Sequence, residues 1–156
     1  MNMGEMLLAI LFSYVACLAF TLIYNIRGRF IWLAPLGGAI SWCVYNLFAF
    51  IGSDIVQNFI AAMAVTVYSE TLARLNKAPA TMFLIVGLLP LVPGAGIYYT
   101  MDYCISGNQI AFQQSLVHTL AVAGALTLGI VLVSSLYRLW FQLRFHHRKK
   151  RQAKGG

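Results

Sequence analysis

Five apolar stretches, at roughly residues 6–24, 31–51, 55–73, 80–101 and 114–137, dominate this chain, separated only by "NIRGRF", "GSD", "RLNKAP" and "CISGNQ". Each is close to the ~20 residues a helix needs to cross the hydrocarbon of a bilayer. With connectors this short, neighbouring stretches must run antiparallel. The sequence therefore predicts an all-α fold, an integral membrane bundle of five transmembrane helices over residues 1–137. Composition agrees: 60% of the 156 residues are hydrophobic, 10% are charged and the mean hydropathy is +0.76. A soluble domain is not this apolar. Little sequence is left for a soluble catalytic domain. The first stretch lacks the marks of a cleaved signal, since "MNMGEM" has no base and "TLIYNIRGR" follows without a small-residue cleavage site, so 6–24 reads as a retained span.

Charge orients the bundle. Arg27 and Arg29 follow the first stretch, Arg74 and Lys77 follow the third, and Arg138, Arg144, Arg148, Lys149, Lys150, Arg151 and Lys154 follow the fifth. With five crossings all 11 bases fall on one side, and Glu5, Asp54 and Asp102 fall on the other. Four or six crossings would scramble that separation. The positive-inside rule then predicts an outside N-terminus and a cytoplasmic C-terminus in a plasma (inner) membrane. Residues 138–156 form a basic cytoplasmic tail. In it Trp140, Arg144, Arg148, Lys149, Lys150 and Arg151 read as an anchor on anionic lipid headgroups, in preference to a nucleic-acid surface. His146 and His147 belong to the same tail. Cys17, Cys43 and Cys104 have neither disulfide nor zinc spacing and read as small packing residues, and no metal or cofactor is expected.

Polar groups within the stretches need a reason for being there. Glu70 stands four residues before Arg74, the spacing of a helical ion pair, and is either that pair at the interface or a coupling carboxylate. Asp102 is either a solvated interfacial acid or a second coupling group. Asp54 follows Ser53 and reads chiefly as a helix-start residue favoured by the dipole. A helical face of Asp54, Asn58, Ala61 or Ala62, Val65 and Ser69 is polar at its ends and small between them, which suits a buried interface or a narrow aqueous path. His118 borders a small-residue stripe of Ala121, Ala125 and Gly129, where it can hydrogen-bond across helices or relay protons. Gly37, Ser41 and Tyr45 give the second stretch a comparable close-packing face. No Gly-rich phosphate loop, HExxH or GxSxG pattern occurs, so an enzyme is not expected.

The fourth stretch is interrupted. "LLPLVPGAGIYYTMD", residues 88–102, sets Pro90 and Pro93 three residues apart and follows them with Gly94 and Gly96. Two amide donors are missing and two residues are unrestrained, which predicts a helix broken at a PxxPGxG element. Backbone freed at membrane depth is tolerated only inside protein or against water, and discontinuous helices of this kind line the substrate sites of secondary transporters. A kink packed by its neighbours is the alternative.

"ETLARLNKAPATMFLIVGLLPLVPGAGIYYTM", residues 70–101, resembles the signature stretch of the threonine/serine exporter family. The shared features are an acid, Ala-Arg, a basic loop with Pro, and a P-x-x-PG-x-x-x-Y element. Length and layout resemble the small five-span half of the family's split exporters. The resemblance implies export of small amino or carboxylic acids, threonine and serine or a dicarboxylate such as succinate. It also implies a larger membrane subunit as partner. On that resemblance Pro90, Pro93, Gly94 and Tyr98 match the family element, and Glu70 and Arg74 the stretch before it. The reading is a secondary-exporter subunit whose substrate contacts are Pro90, Pro93, Gly94, Gly96, Tyr98 and Asn58, with Glu70, Asp102 and His118 as candidate coupling groups. A non-transporting scaffold and a homo-oligomeric channel are the alternatives.

Overall fold

The computed structural model describes the backbone of residues 3–152 and the side chains of residues 4–141, and those residues form helices and turns only. Helix α1 spans Met3–Ile23, α2 Phe30–Leu47, α3 Asp54–Asn76, α4 Ala80–Leu88, α5 Gly94–Ile105 and α6 Gln109–Gln152. Single 3₁₀ turns follow α2 at Ala49–Ile51 and α4 at Leu89–Leu91. Reversals fall where a left-handed residue is available: Gly52 (φ 71°) ends the turn after α2, and Gly107 (φ 73°) separates α5 from α6. Asn108 starts α6 by accepting the Ala111 N–H on its Oδ1 at 3.2 Å.

Contacts between side chains fix the directions. The Tyr45 hydroxyl meets Asp54 and the Tyr68 hydroxyl meets the Leu33 carbonyl, so α2 and α3 are antiparallel. Along α3 and α6 the partners climb together: His118 by Asp54, Gly129 by Phe59 and Ala62, Tyr137 by Thr71, Phe141 by Arg74. These two helices are parallel. The α4–α5 pair between them must therefore carry the chain once along the whole bundle, although its halves are bent by 54°.

Segments Gly4–Ile23, Phe30–Ile51 and Gln109–Phe141 are long and apolar enough to cross a membrane, and the pair Ala80–Leu91 plus Gly94–Ile105 qualifies if counted as one span. Helix α3 is not among them. Its 23 residues extend about 34 Å, enough to cross, but it is the innermost helix, packed against α2, α4 and α6. Its polar residues Gln57, Asn58, Thr66 and Ser69 point inward and are buried. Helix α3, with the most buried residues, is thus less apolar than α1, α2, α4 and α5, whereas the faces of α1 and α6 carry exposed Leu7, Leu11, Phe12, Leu128 and Leu132. Of the face Asp54, Asn58, Ala61, Ala62, Val65 and Ser69, all but Asp54 are buried between helices.

Small residues set the crossings. Gly37 of α2 and Gly87 of α4 touch backbone to backbone: a Cβ on Gly37 would lie 3.2 Å from the Gly87 Cα, and one on Gly87 would strike the Val65 side chain. A Cβ on Gly129 would come within 2.9 Å of the Phe59 carbonyl oxygen. Ala125 is buried on the same face of α6. Helix α6 shows no interruption at residue 137, so the expected boundary between membrane domain and tail lies within one helix.

Candidate functional site

The break between α4 and α5 is shorter than its glycines suggest. Gly94 and Gly96 lie in the first turn of α5, and only Val92 and Pro93 leave helical geometry after the 3₁₀ turn. The expectation of an unwound 90–96 segment is corrected to residues 89–93. The physical reason is that Gly94 and Gly96 keep their amide donors, and the Ile97 N–H already bonds the Pro93 carbonyl at 3.0 Å. Each carbonyl that a proline deprives of its donor finds a substitute. Pro90 cannot donate to Val86, whose oxygen instead accepts from the Leu89 N–H and, at 3.3 Å, from the Cys17 thiol of α1. Pro93 cannot donate to Leu89, which accepts from the Val92 N–H at 3.3 Å. Cys17 reaches the break because Gly38 has no side chain: a Cβ there would collide with its sulfur.

A cleft of about 590 Å³ lies against this break, between α1 and α2. Ser13 and Cys17 of α1, Trp42 of α2 and Pro90, Val92 and Gly94 of the break are among its lining residues. The Ser13 hydroxyl donates to the Gly38 carbonyl at 2.9 Å, and Ser41 donates to the same oxygen at 2.9 Å. The Trp42 ring stacks on Tyr45 with centroids 5.3 Å apart. Its Nε1–H is buried and has no hydrogen-bond partner among the described residues. On its other side the break is rooted in the core, where Leu91 packs with Ala61, Ala62, Val122 and Leu126.

Helix α5 is held chiefly by α6. The Thr100 hydroxyl donates to the Gly96 carbonyl at 2.6 Å and shares a hydrogen bond of 2.8 Å with Ser115. Thr119 presses on Gly96, where a Cβ would lie 2.5 Å from its Oγ1, and that oxygen is buried without a partner.

A second polar site joins α2, α3 and α6. Asp54 Oδ1 accepts from the Tyr45 hydroxyl at 2.5 Å and from Asn58 Nδ2 at 2.9 Å, while Oδ2 lies 3.6 Å from His118 Nε2. A shallow depression of about 500 Å³ adjoins it, lined by Ile55, Gln113, Gln114, Val117, His118 and Ala121.

The residues singled out in the sequence therefore separate into distinct places. Pro90 and Gly94 line one cleft, with Pro93 between them and Gly96 turned to α6. Asn58 belongs to the Asp54 cluster, and Tyr98 is exposed on α5 with its ring against Tyr99 at 5.4 Å. Glu70 pairs with Arg74 at 3.0 Å, and the Arg74 guanidinium is clamped between the rings of Tyr137 (4.7 Å) and Phe141 (4.8 Å) of α6. Asp102 is exposed. Trp140 is exposed near the end of the described side chains, and those of Arg144, Arg148, Lys149, Lys150 and Arg151 lie outside the described residues.

Three contributors had no signal of their own in the sequence. Trp42 belongs to no motif, Cys17 reads as a packing residue, and Asp54 reads chiefly as a helix start. Asp54 does occupy the first position of α3, after Ser53, but its carboxylate is taken up by side chains of three helices. The one local sign was Tyr45 on the face of Gly37 and Ser41, since a tyrosine on a tight helix interface needs a partner for its hydroxyl.

A family model described as Threonine/Serine exporter, ThrE, matches residues 9–136, from within α1 to within α6. The match takes in both the cleft and the Asp54 cluster. No curated protein and no solved structure matches the chain.

Proposed function

The chain belongs to the threonine/serine exporter family, a family of membrane transporters and not of enzymes, and from that premise we propose that it is the small membrane subunit of a two-component secondary exporter. It crosses the membrane five times, with α3 as the sheltered third span and α4–α5 as a broken fourth. Its N-terminus is outside and its C-terminus is in the cytoplasm of a cell with this protein in its inner membrane. The parallel course of α3 and α6 supports the count, because only a complete crossing by α4–α5 lets both run the same way. The segregation of bases supports the orientation. The basic tail rests on anionic lipid. A larger subunit of opposite orientation supplies the other half of the pathway, since inverted halves form their site at the midplane between them.

The observation that carries this reading is the cleft against the α4–α5 break. Pro90 and Pro93 create the break, Gly96 lets α5 pack tightly on α6 behind it, and Trp42, which lines the cleft, has a buried N–H without a partner among the described residues. A small amino or carboxylic acid entering there gives its carboxylate to the Trp42 donor, after a modest ring movement. Tyr98 meets substrate or partner from the exposed face of α5, and Asn58 acts from the Asp54 cluster. Glu70, Asp102 and His118 are the ionisable groups from which coupling is drawn. Threonine, serine and a small dicarboxylate are the substrates to test.

The test is efflux of preloaded L-threonine, L-serine and succinate from cells expressing this chain, the larger subunit, or both. Export by the pair alone is expected. No export from the pair overturns the reading in favour of a scaffold. Export by this chain alone overturns the need for a partner and favours a homo-oligomeric channel. In the pair, Trp42→Phe is expected to raise the half-saturating substrate concentration about tenfold, the effect of one lost hydrogen bond to a charged group.

A further inference from the structure

No residue of the Asp54 cluster lines the cleft, yet Asp54 and His118 are an acid and a base that the bundle brings together across α3 and α6. Their surroundings differ atom by atom. Oδ1 of Asp54 is satisfied, with Tyr45 donating at 2.5 Å and Asn58 at 2.9 Å. Among the described residues Oδ2 faces His118 Nε2 alone, at 3.6 Å, longer than a hydrogen bond and short enough for an ion pair. The side chains are 39% and 55% exposed, so protons can reach them. Tyr45 is the titratable group that α2 turns to the carboxylate. Helix α5 meets this part of α6 through Gly96 and Thr100, neither of which titrates. The Glu70–Arg74 pair sits about 24 Å further along α3.

The position on α6 gives the pair mechanical reach. His118 touches α3, while its chain neighbour Thr119 presses on Gly96 and Ser115 bonds Thr100. One turn of α6 thus contacts α3 on one face and the start of α5 on another, just beyond the break.

Building on the exporter reading, we propose that Asp54 and His118 are the proton-binding pair that couples proton movement to export, with Tyr45 and Asn58 as positioning residues. A proton taken from solution onto the imidazole makes Nε2 a charged donor, which closes on Oδ2 and draws α6 to α3. Its release to solution removes that charge, and the contact loosens. No other bond forms or breaks. Because Thr119 and Ser115 hold α5, each change moves α5 relative to the break and so alters access to the cleft.

The experiment uses the chain and its larger subunit together in proteoliposomes, with labelled L-threonine as probe. Counterflow exchange at equal pH reports binding and reorientation without net proton movement; accumulation driven by an imposed pH gradient reports coupling. Asp54→Asn and His118→Gln are expected to lower gradient-driven accumulation by about tenfold or more while counterflow stays within about twofold. Tyr45→Phe, which frees Oδ1 of one donor, is expected to shift the pH profile of accumulation while leaving counterflow intact, and Asp54→Glu to restore part of the coupling. Wild-type accumulation that ignores the pH gradient, or variants that accumulate normally, overturns the coupling role and leaves the exporter standing. Loss of counterflow along with accumulation in variants that retain the wild-type melting temperature makes the pair part of the substrate path and also overturns it. Absence of both activities in the wild-type pair overturns the exporter reading itself.

Discussion

Gly87 and Gly94 differ in what a single methyl group would meet. At Gly87 a Cβ strikes Val65 and comes within 3.3 Å of the Gly37 backbone, whereas at Gly94 it meets nothing within 4 Å. Helices in a bilayer gain no hydrophobic advantage by associating, so close packing through such residues is a large part of what holds them together. Gly87→Ala is therefore expected to cost about 1–3 kcal/mol, as overpacking does, and Gly94→Ala to stay within about 0.5 kcal/mol of wild type. Melting of the detergent-solubilised protein checks both, and equal losses would refute the distinction. Gly94→Ala then becomes an informative probe, because any loss of export without a loss of stability reflects the cleft. Arg74 supports a second contrast. Its guanidinium holds Glu70 and lies over two rings of α6, so Arg74→Ala removes all three contacts and leaves a mostly buried carboxylate unpaired. Glu70→Gln keeps the ring contacts and is expected to be the milder change, by roughly 1 kcal/mol. The i,i+4 spacing made the ion pair legible in the sequence; the rings of Tyr137 and Phe141 were not, since nothing local ties them to Arg74.

At the scale of the helices, the α4–α5 break is a device in which α1 takes part. The Cys17 thiol occupies the carbonyl that Pro90 leaves without its helical donor, and Gly38 makes room for it. Restoring the donors with Pro90→Ala and Pro93→Ala together is expected to let α4 run on toward α5 and reduce the 54° bend. Nitroxides at Thr81 and Met101, both exposed, then move apart in pulsed electron paramagnetic resonance, and export falls while the protein stays folded. An unchanged distance would mean that packing by α1, α2 and α6, not the prolines, sets the bend. The existence of this break was legible because P-x-x-P is a local rule of backbone chemistry. Its extent was overestimated because glycine permits unwinding without requiring it, and the first turn of α5 forms with both glycines inside it. The Asp54 cluster was illegible for a different reason. Asp54 satisfies a local rule at a helix start, and its partners on α2 and α6 come from the tertiary fold, which leaves no periodic mark.

For the molecule as a whole, the parallel pairing of α3 with α6 has a consequence for sidedness. If α4–α5 crosses completely, Arg27, Lys77 and Arg138 share one end of the bundle, and Gly52 and Gly107 share the other. Helix α3 makes this more than a hydropathy exercise. A count based on apolar length omits it, and without it the connections on either side of α3 could not lie at opposite ends. Its polar residues face α2, α4 and α6, so the cost of burying Asn58, Thr66 and Ser69 is met inside the protein: Asn58 bonds Asp54, Thr66 bonds the Ala62 carbonyl and Ser69 the Val65 carbonyl. Single cysteines at positions 27 and 77, placed in a variant lacking Cys17, Cys43 and Cys104 that still assembles, are expected to react with a membrane-impermeant maleimide only in inside-out vesicles. Cysteines at 52 and 107 are expected to react only from the outside of intact cells. Labelling of 77 and 107 from the same side would turn α4–α5 into a re-entrant element. It would also place the basic tail opposite the other bases, removing the charge asymmetry on which the orientation rests. Labelling from opposite sides fixes the broken pair as a full crossing, and with it a cleft at its break that lies at membrane depth.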